Sequence, residues 1–181
     1  MPIEADQLRG SIVILRPSTL DDRQDCWQWG DRSDISHWTN PPPMAPSSFE
    51  LFCEEWKPHY FDGSAPRLGR VFIIEVDHQA VGMIAYNDID ETHQRVEIDI
   101  WMSCQANCGR GYGPDAIDTL SRHIQDTFDL KETWAQPSAR NLRSIRAFEK
   151  AGFVKSSRPV KDYGKADCQD ALLLVRQLQQ L

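Results

Sequence analysis

The seven residues Cys108-Gly109-Arg110-Gly111-Tyr112-Gly113-Pro114 constrain this chain more than any other segment. The run before them, from Arg95 to Met102, alternates polar and apolar residues with a period of two, as a half-buried strand does. After them Ile117, Leu120, Ile124 and Phe128 recur at helical spacing. Pro114 falls in the first turn of that helix, where its missing N–H costs nothing. Three glycines at alternate positions leave backbone N–H groups uncovered at the helix N-terminus. Unpaired donors and the positive end of the helix dipole then point at one place, which suits a pyrophosphate.

Other readings of these glycines are weaker. A dinucleotide fingerprint needs its third glycine one position later, and a nucleoside-triphosphate loop needs Lys followed by Ser or Thr where Pro114-Asp115 stands. Arg110-Gly-Tyr-Gly113 imitates the start of an RNA-binding strand, but Pro114 sits where a central strand must keep donating hydrogen bonds. The plain competitor is a helix entry that needs glycine for its backbone alone.

A second motif lies about thirty residues downstream. Asn141-Leu-Arg-Ser144-Ile-Arg-Ala-Phe148-Glu-Lys-Ala-Gly152-Phe153 reads as a helix ended by glycine and followed by a strand. With the glycine loop, and with the opening Leu8-Arg-Gly10 through Arg16-Pro17 and Asp21-Asp22, it resembles the GNAT superfamily of N-acetyltransferases, in particular the RimJ/RimL-type branch. The resemblance covers nearly the whole chain. It implies an α/β (α+β) fold: a mixed, mostly antiparallel twisted sheet of about seven strands flanked by helices, splayed between the fourth and fifth strands. It implies acetyl-coenzyme A as acetyl donor. Gly109, Arg110, Gly111, Tyr112 and Gly113 would hold its pyrophosphate, with Cys108 where the family usually has Arg or Gln. Trp101, Met102 and Ser103 would line the pantetheine, and Asn141, Ser144 and Phe148 would flank it from the second helix.

The strand before the loop offers proton acceptors. Arg95, Glu97, Asp99 and Trp101 share one face, and Val96, Ile98, Ile100 and Met102 share the other. Glu97 or Asp99 can act as general base, directly or through a water; the competing reading is a solvated outer face with Arg95 as ion-pair partner. Similarity to aminoglycoside 6′-N-acetyltransferases, in the spacing back from Gly111 and in the length of the segment from Ser103 to Cys108, favours Asp99. Phe148 departs from the family, because many members carry a tyrosine there to protonate the leaving thiolate. Water, Tyr112 or Tyr86 would then supply the proton, or the protein binds the donor without fast chemistry.

On the acceptor side Trp38, Trp56, Tyr60 and Phe61 accompany Glu50, Glu54, Glu55 and Asp62, a mixture that suits an ammonium group. Trp38 and Tyr86 are the acceptor-binding candidates. A solvated acidic helix face competes with this reading. The acceptor would be a small polycationic amine, such as an aminoglycoside or polyamine, or a protein N-terminus.

The rest of the sequence sets bounds. At 181 residues a single domain over residues 1–181 is expected, and a net charge of −7 opposes nucleic acid and anionic membranes as partners. No apolar run is long enough to span a bilayer, and no secretory signal is expected from Met1-Pro-Ile-Glu. Five cysteines without a disulfide rhythm fit reduced thiols in a cytoplasmic protein. Neither the cysteines nor the five histidines show metal-ligand spacing, so no metal is expected. A homodimer is left open.

Overall fold

Strands whose side chains are apolar on both faces need cover on both, and this chain provides it with two sets of helices. The computed structural model describes residues 7–39, 46–164 and 170–178. The expected chain break at Asn40-Pro-Pro-Pro43 lies outside them, as do Lys165 and Cys168. The four cysteines described are free thiols.

Eight strands form one sheet in the order β1 (Leu8–Arg9), β2 (Ile14–Pro17), β3 (Arg70–Val76), β4 (Gln79–Tyr86), β5 (Arg95–Met102), β6 (Glu132–Ala135), β8 (Leu174–Gln177) and β7 (Val154–Lys155). Every neighbouring pair is antiparallel except β5 and β6. The expected count of about seven misses β1, a two-residue strand too short to leave a periodic signal. Along β3, Phe72 and Ile74 enter one core while Val71 and Ile73 enter the other. The first core is closed by α4 (Tyr112–Phe128) and α5 (Leu142–Lys150), the second by α1 (Arg23–Asp31), α2 (Phe49–Glu55) and α3 (His59–Asp62). Ile117, Leu120 and Ile124 on α4 are wholly buried, each contributing about 1.5–3 kcal/mol by leaving water.

Two differences from the sequence expectation have clear causes. The strand expected over residues 153–160 stops after Lys155, because Pro159 cannot donate to a ladder and Arg158 and Tyr163 are drawn to Glu132. The residues after Pro17 read as a helix capped by Ser18 or Thr19 with Asp21-Asp22 in its first turn; Thr19 is the cap, but that first turn is a 3-10 turn over Leu20–Asp22, with the Asp22 carboxylate accepting from the Thr19 N–H at 2.7 Å, before α1 proper.

The parallel contact between β5 and β6 is short. It pairs Arg95 with Glu132, Val96 with Thr133 and Glu97 with Trp134, and goes no further. From Ile98 to Met102, β5 is bonded to β4 alone, so the sheet splays open where the family resemblance places it.

The glycine loop enters α4 at the mouth of this splay. Gly111 is the N-cap of α4 with φ +86°, a left-handed conformation that costs an L-residue roughly 1–2 kcal/mol. Gly113 has an ordinary φ, and a Cβ there would sit 3.6 Å from the Ala147 Cβ, a normal contact between α4 and α5. Asp115, one turn in, fastens the β1–β2 connection to the helix: its carboxylate accepts from the amides of Ser11 at 2.9 Å, Ile12 at 2.7 Å and Val13 at 2.8 Å. A Cβ on Gly10 would meet Asp115 Oδ2 at 2.4 Å, so the turn closes only without a side chain there.

Partial burial pushes the Asp115 carboxyl up, but the amides of Val13, Ile12 and Ser11 outweigh it and hold it below its ordinary 3.8. A carboxylate with a depressed folded pKa stabilises at pH above its unfolded value and loses that contribution as pH falls through the folded value. Asp115→Asn is therefore expected to lower the melting temperature at neutral pH, with the gap to wild type closing as the pH falls below 3.8; pH-resolved thermal unfolding checks this. Among the glycines, Gly111→Ala should cost about 1–2 kcal/mol in denaturant unfolding, whereas Gly113→Ala should leave stability nearly unchanged. Equal costs at the two positions would contradict the assigned backbone geometry.

Candidate active site

Two cavities meet at the splay, and they carry opposite charge. The larger, about 810 Å³, runs between the free edge of β5 and the start of α5, and the glycine loop forms part of its wall. Trp101, Met102, Cys108, Gly109, Gly111, Gly113, Asn141, Ser144 and Phe148 all line it, as expected. Ser103, Arg110 and Tyr112 do not. The Ser103 hydroxyl accepts from Asn107, the Arg110 Nε donates to the Ala106 carbonyl, and Tyr112 packs against the α4–α5 core. The first-turn amides of α4 have no partners within the helix by its geometry. The loop amides of residues 109–111 find no backbone acceptor among the described residues.

Sequence reasoning passed over the cations of this cavity. Arg140, Arg143, Arg146 and Lys150 line it, and its one described carboxylate is Asp99. Their signal was present in the spacing of Arg143, Arg146 and Lys150, three and four residues apart on one helix face, but a basic helix face is common on surfaces. Four cations beside uncovered amides fit a polyanion such as the phosphates of a nucleotide.

The smaller cavity, about 480 Å³, lies on the other face of β5. Glu55, Asp88, Asp90, Glu97 and Asp99 line it together with Trp56, Tyr60, Trp134 and Tyr163, and Arg95 is its one described cation. The solvated outer face considered from the sequence does not exist here: Glu97 is 6% exposed and Arg95 7%. Arg95 is occupied, with its Nε 3.0 Å from Asp90 and its guanidinium 3.9 Å from the centre of the Tyr163 ring. Burial pushes the Tyr60 phenol up, and the charges of Asp99, Asp88, Glu97 and Glu55 push it further. That phenol reports a strongly negative surrounding. Tyr163 is pushed up to about 12 by burial and by its hydrogen bond to Glu132.

Among the described residues Asp99 alone lines both cavities. Its cross-strand neighbour is Ala85, whose small side chain leaves the carboxylate room. Asn87 Nδ2 donates to Asp99 Oδ2 at 2.7 Å and to Glu97 Oε2 at 3.0 Å. Asn87 was not foreseen, because the register that sets it opposite Glu97 is a tertiary fact.

Three expected site residues stand elsewhere. Tyr86 lines neither cavity: it pairs with Ile98, so it shares the α4 face of the sheet, and its hydroxyl donates to the Pro66 carbonyl at 2.9 Å. Trp38 lines the larger cavity instead of the acidic one, since the 3-10 turn Ser36–Trp38 sets it beside Ile35 and Thr39. Phe61 is wholly buried in the second core. Phe148 is 2% exposed and meets Phe153 edge to face at 5.0 Å, so it is a core residue that also forms cavity wall. No cluster of three or more His, Cys, Asp or Glu side chains suited to a metal occurs among the described residues. None of the described helices is long and apolar enough to cross a membrane.

Solved structures with this architecture include the aminoglycoside acetyltransferase AAC(6′)-Ib in complex with paromomycin and acetyl-coenzyme A, at a TM-score of 0.71 and 21% identity over 92% of this chain and 94% of that one. Spermidine N-acetyltransferase from Vibrio cholerae, in complex with coenzyme A and spermine, superposes at a TM-score of 0.72 and 18% identity over 92% and 96%. At such identities the likeness concerns the fold. No curated protein matches the sequence. The model of the acetyltransferase (GNAT) domain matches residues 13–154, most of the chain, and the protein belongs to that family.

Proposed function

We propose that this protein transfers an acetyl group from acetyl-coenzyme A to a primary amine of a small polycation. The observation that carries the proposal is the position of Asp99, at the junction of a cation-lined cavity and an acidic one. A polyanionic donor and a polycationic acceptor are thereby drawn to opposite sides of one carboxylate. The acidic cavity, walled by aromatic rings, fits a compact amine with several ammonium groups better than an extended peptide. Of the residues the sequence offered for such a ligand, Glu55, Trp56 and Tyr60 line it, and the two solved structures above hold paromomycin and spermine.

Acetyl-coenzyme A, when bound, supplies a thioester carbonyl as electrophile. On this reading the amides of the glycine loop and the α5 cations hold its phosphates, and the free edge of β5 offers backbone groups to its pantetheine arm. N–H donors on that edge would stabilise charge developing on the thioester oxygen. Asp99 accepts a proton from the incoming ammonium, directly or through a water, and Glu97 adds to the negative field that attracts it. Attack is direct, because no nucleophilic side chain is called for. Phe148 has no proton to give, Tyr86 donates to Pro66 and Tyr112 lies outside the cavity wall. Water is left as the proton source for the thiolate.

A second reading rests on Phe148 alone: a donor-binding module without turnover. Mixing the protein with acetyl-coenzyme A and spermine or kanamycin separates the two. The enzyme releases free thiol, and Asp99→Asn lowers its kcat/KM by roughly 10²–10⁴ while coenzyme A still binds. The module binds coenzyme A in calorimetry and releases no thiol with any amine. For the enzyme, Phe148→Tyr is expected to raise kcat and to leave the KM for donor unchanged.

A further inference from the structure

We infer that Asn87 is a positioning residue that keeps Glu97 and Asp99 ionised side by side. The inference rests on the proposed role of Asp99 as base and adds what lets that base coexist with a second carboxylate. Glu97 and Asp99 lie two apart on one face of β5, so both side chains enter the same cavity. Glu97 is buried and Asp99 half-buried, and like charges at that spacing repel, which favours a proton on one of them.

Asn87 stands where it can prevent this. It is the first residue after β4, and its own N–H donates to the Glu97 carbonyl at 3.0 Å, which extends the β4–β5 ladder by one step and fixes the backbone. Its side chain then lies on the Glu97 face. One amide group carries two N–H donors, and here they divide between the carboxylates: 2.7 Å to Asp99 Oδ2 and 3.0 Å to Glu97 Oε2. An N–H donor favours the charged form of the carboxyl it reaches, so each bond lowers the cost of ionising its acceptor. An asparagine does this without adding a charge, which a lysine or arginine would bring into the cavity meant for the acceptor's own cations.

Among the described residues, other titratable groups also face the pair. Glu55 from α2, Asp88 and Asp90 from the β4–β5 connection, and Tyr60 from α3 contribute negative charge or a neutral phenol. Arg95, on the same strand, bonds Asp90 and lies over the Tyr163 ring.

The test is a carboxyl carbon-13 titration of Glu97 and Asp99 in the free, full-length protein, comparing wild type with Asn87→Ala and Asn87→Asp. The first variant deletes the donors, and the second keeps the shape while replacing them with another carboxylate. The titration midpoint of at least one of the pair should rise by about one pH unit in Asn87→Ala, the scale of a lost hydrogen bond to a charged group, and by more in Asn87→Asp. Thermal unfolding and coenzyme A calorimetry verify that the fold and the donor site persist; should one variant not fold, the other decides. Midpoints that coincide with wild type in a folded variant would overturn the inference. With spermine as acceptor, the acid limb of the pH–rate profile should move upward by the same amount, which a merely structural residue would not cause. Absence of turnover in wild type would instead remove the base assignment, and the titration would still decide the role of Asn87.

Discussion

The structure depends on a parallel pairing that ends early. Three residue pairs join β5 to β6, and then the strands part. Everything functional follows from that divergence. A sheet that continued its ladder would have no cleft, and its central backbone groups would be spent on each other. Here β5 keeps its full length because β4 holds it on the other side, with Gly82 allowing the close approach: a Cβ there would lie 2.6 Å from the Trp101 carbonyl. The cleft is thus built into strand pairing itself, and α4 and α5 pack against the same residues of β5 that flank it.

Charge is distributed across this cleft with little waste. The chain is acidic overall, at −7, yet four cations gather along one cavity and five carboxylates in the next. Net charge alone identified neither. It weighed against a nucleic-acid surface and was silent about a local basic wall, because a field a few ångströms deep is set by nearby groups and by the low dielectric between them. The two environments divide along β5, with Arg95 and Glu97 in the acidic cavity, Ile100 to Met102 in the basic one and Asp99 in both.

How much of this was legible in the sequence depended on whether the signal was local. The glycine loop, the α4 periodicity and the shared face of Glu97 and Asp99 are properties of consecutive residues, and the structure places them as read. Tyr86 failed because its face is decided by pairing with Ile98, across a strand boundary. The truncation of β7 was hidden because Glu132, far upstream, draws Arg158 and Tyr163 away from the ladder. Asp115 gives no local sign of its role, because its ties to Ser11, Ile12 and Val13 span about a hundred residues that no window joins. Asn87 belongs to the same class. Its neighbours in sequence are acidic and turn-forming, and only the register with β5 gives it two carboxylates to hold.

Phe148 gains meaning from the unequal difficulty of the two proton transfers that acetyl transfer requires. An alkylammonium with a pKa near 10.4 is neutral in roughly one molecule in a few thousand at pH 7, so the nucleophile is scarce unless a base removes its proton. A thiol near 8.5 is a far weaker base once ionised, and its anion can depart into water before it is protonated. On the proposed mechanism, a site with a carboxylate pair on β5 and no hydroxyl at position 148 spends its chemistry on the harder proton. The phenylalanine serves the fold: it packs against Phe153, whose N–H donates to the Phe148 carbonyl at the end of α5. A missing hydroxyl at 148 leaves that cavity wall intact, whereas on the proposed mechanism losing the pair on β5 would remove both the attraction for the amine and the means to deprotonate it.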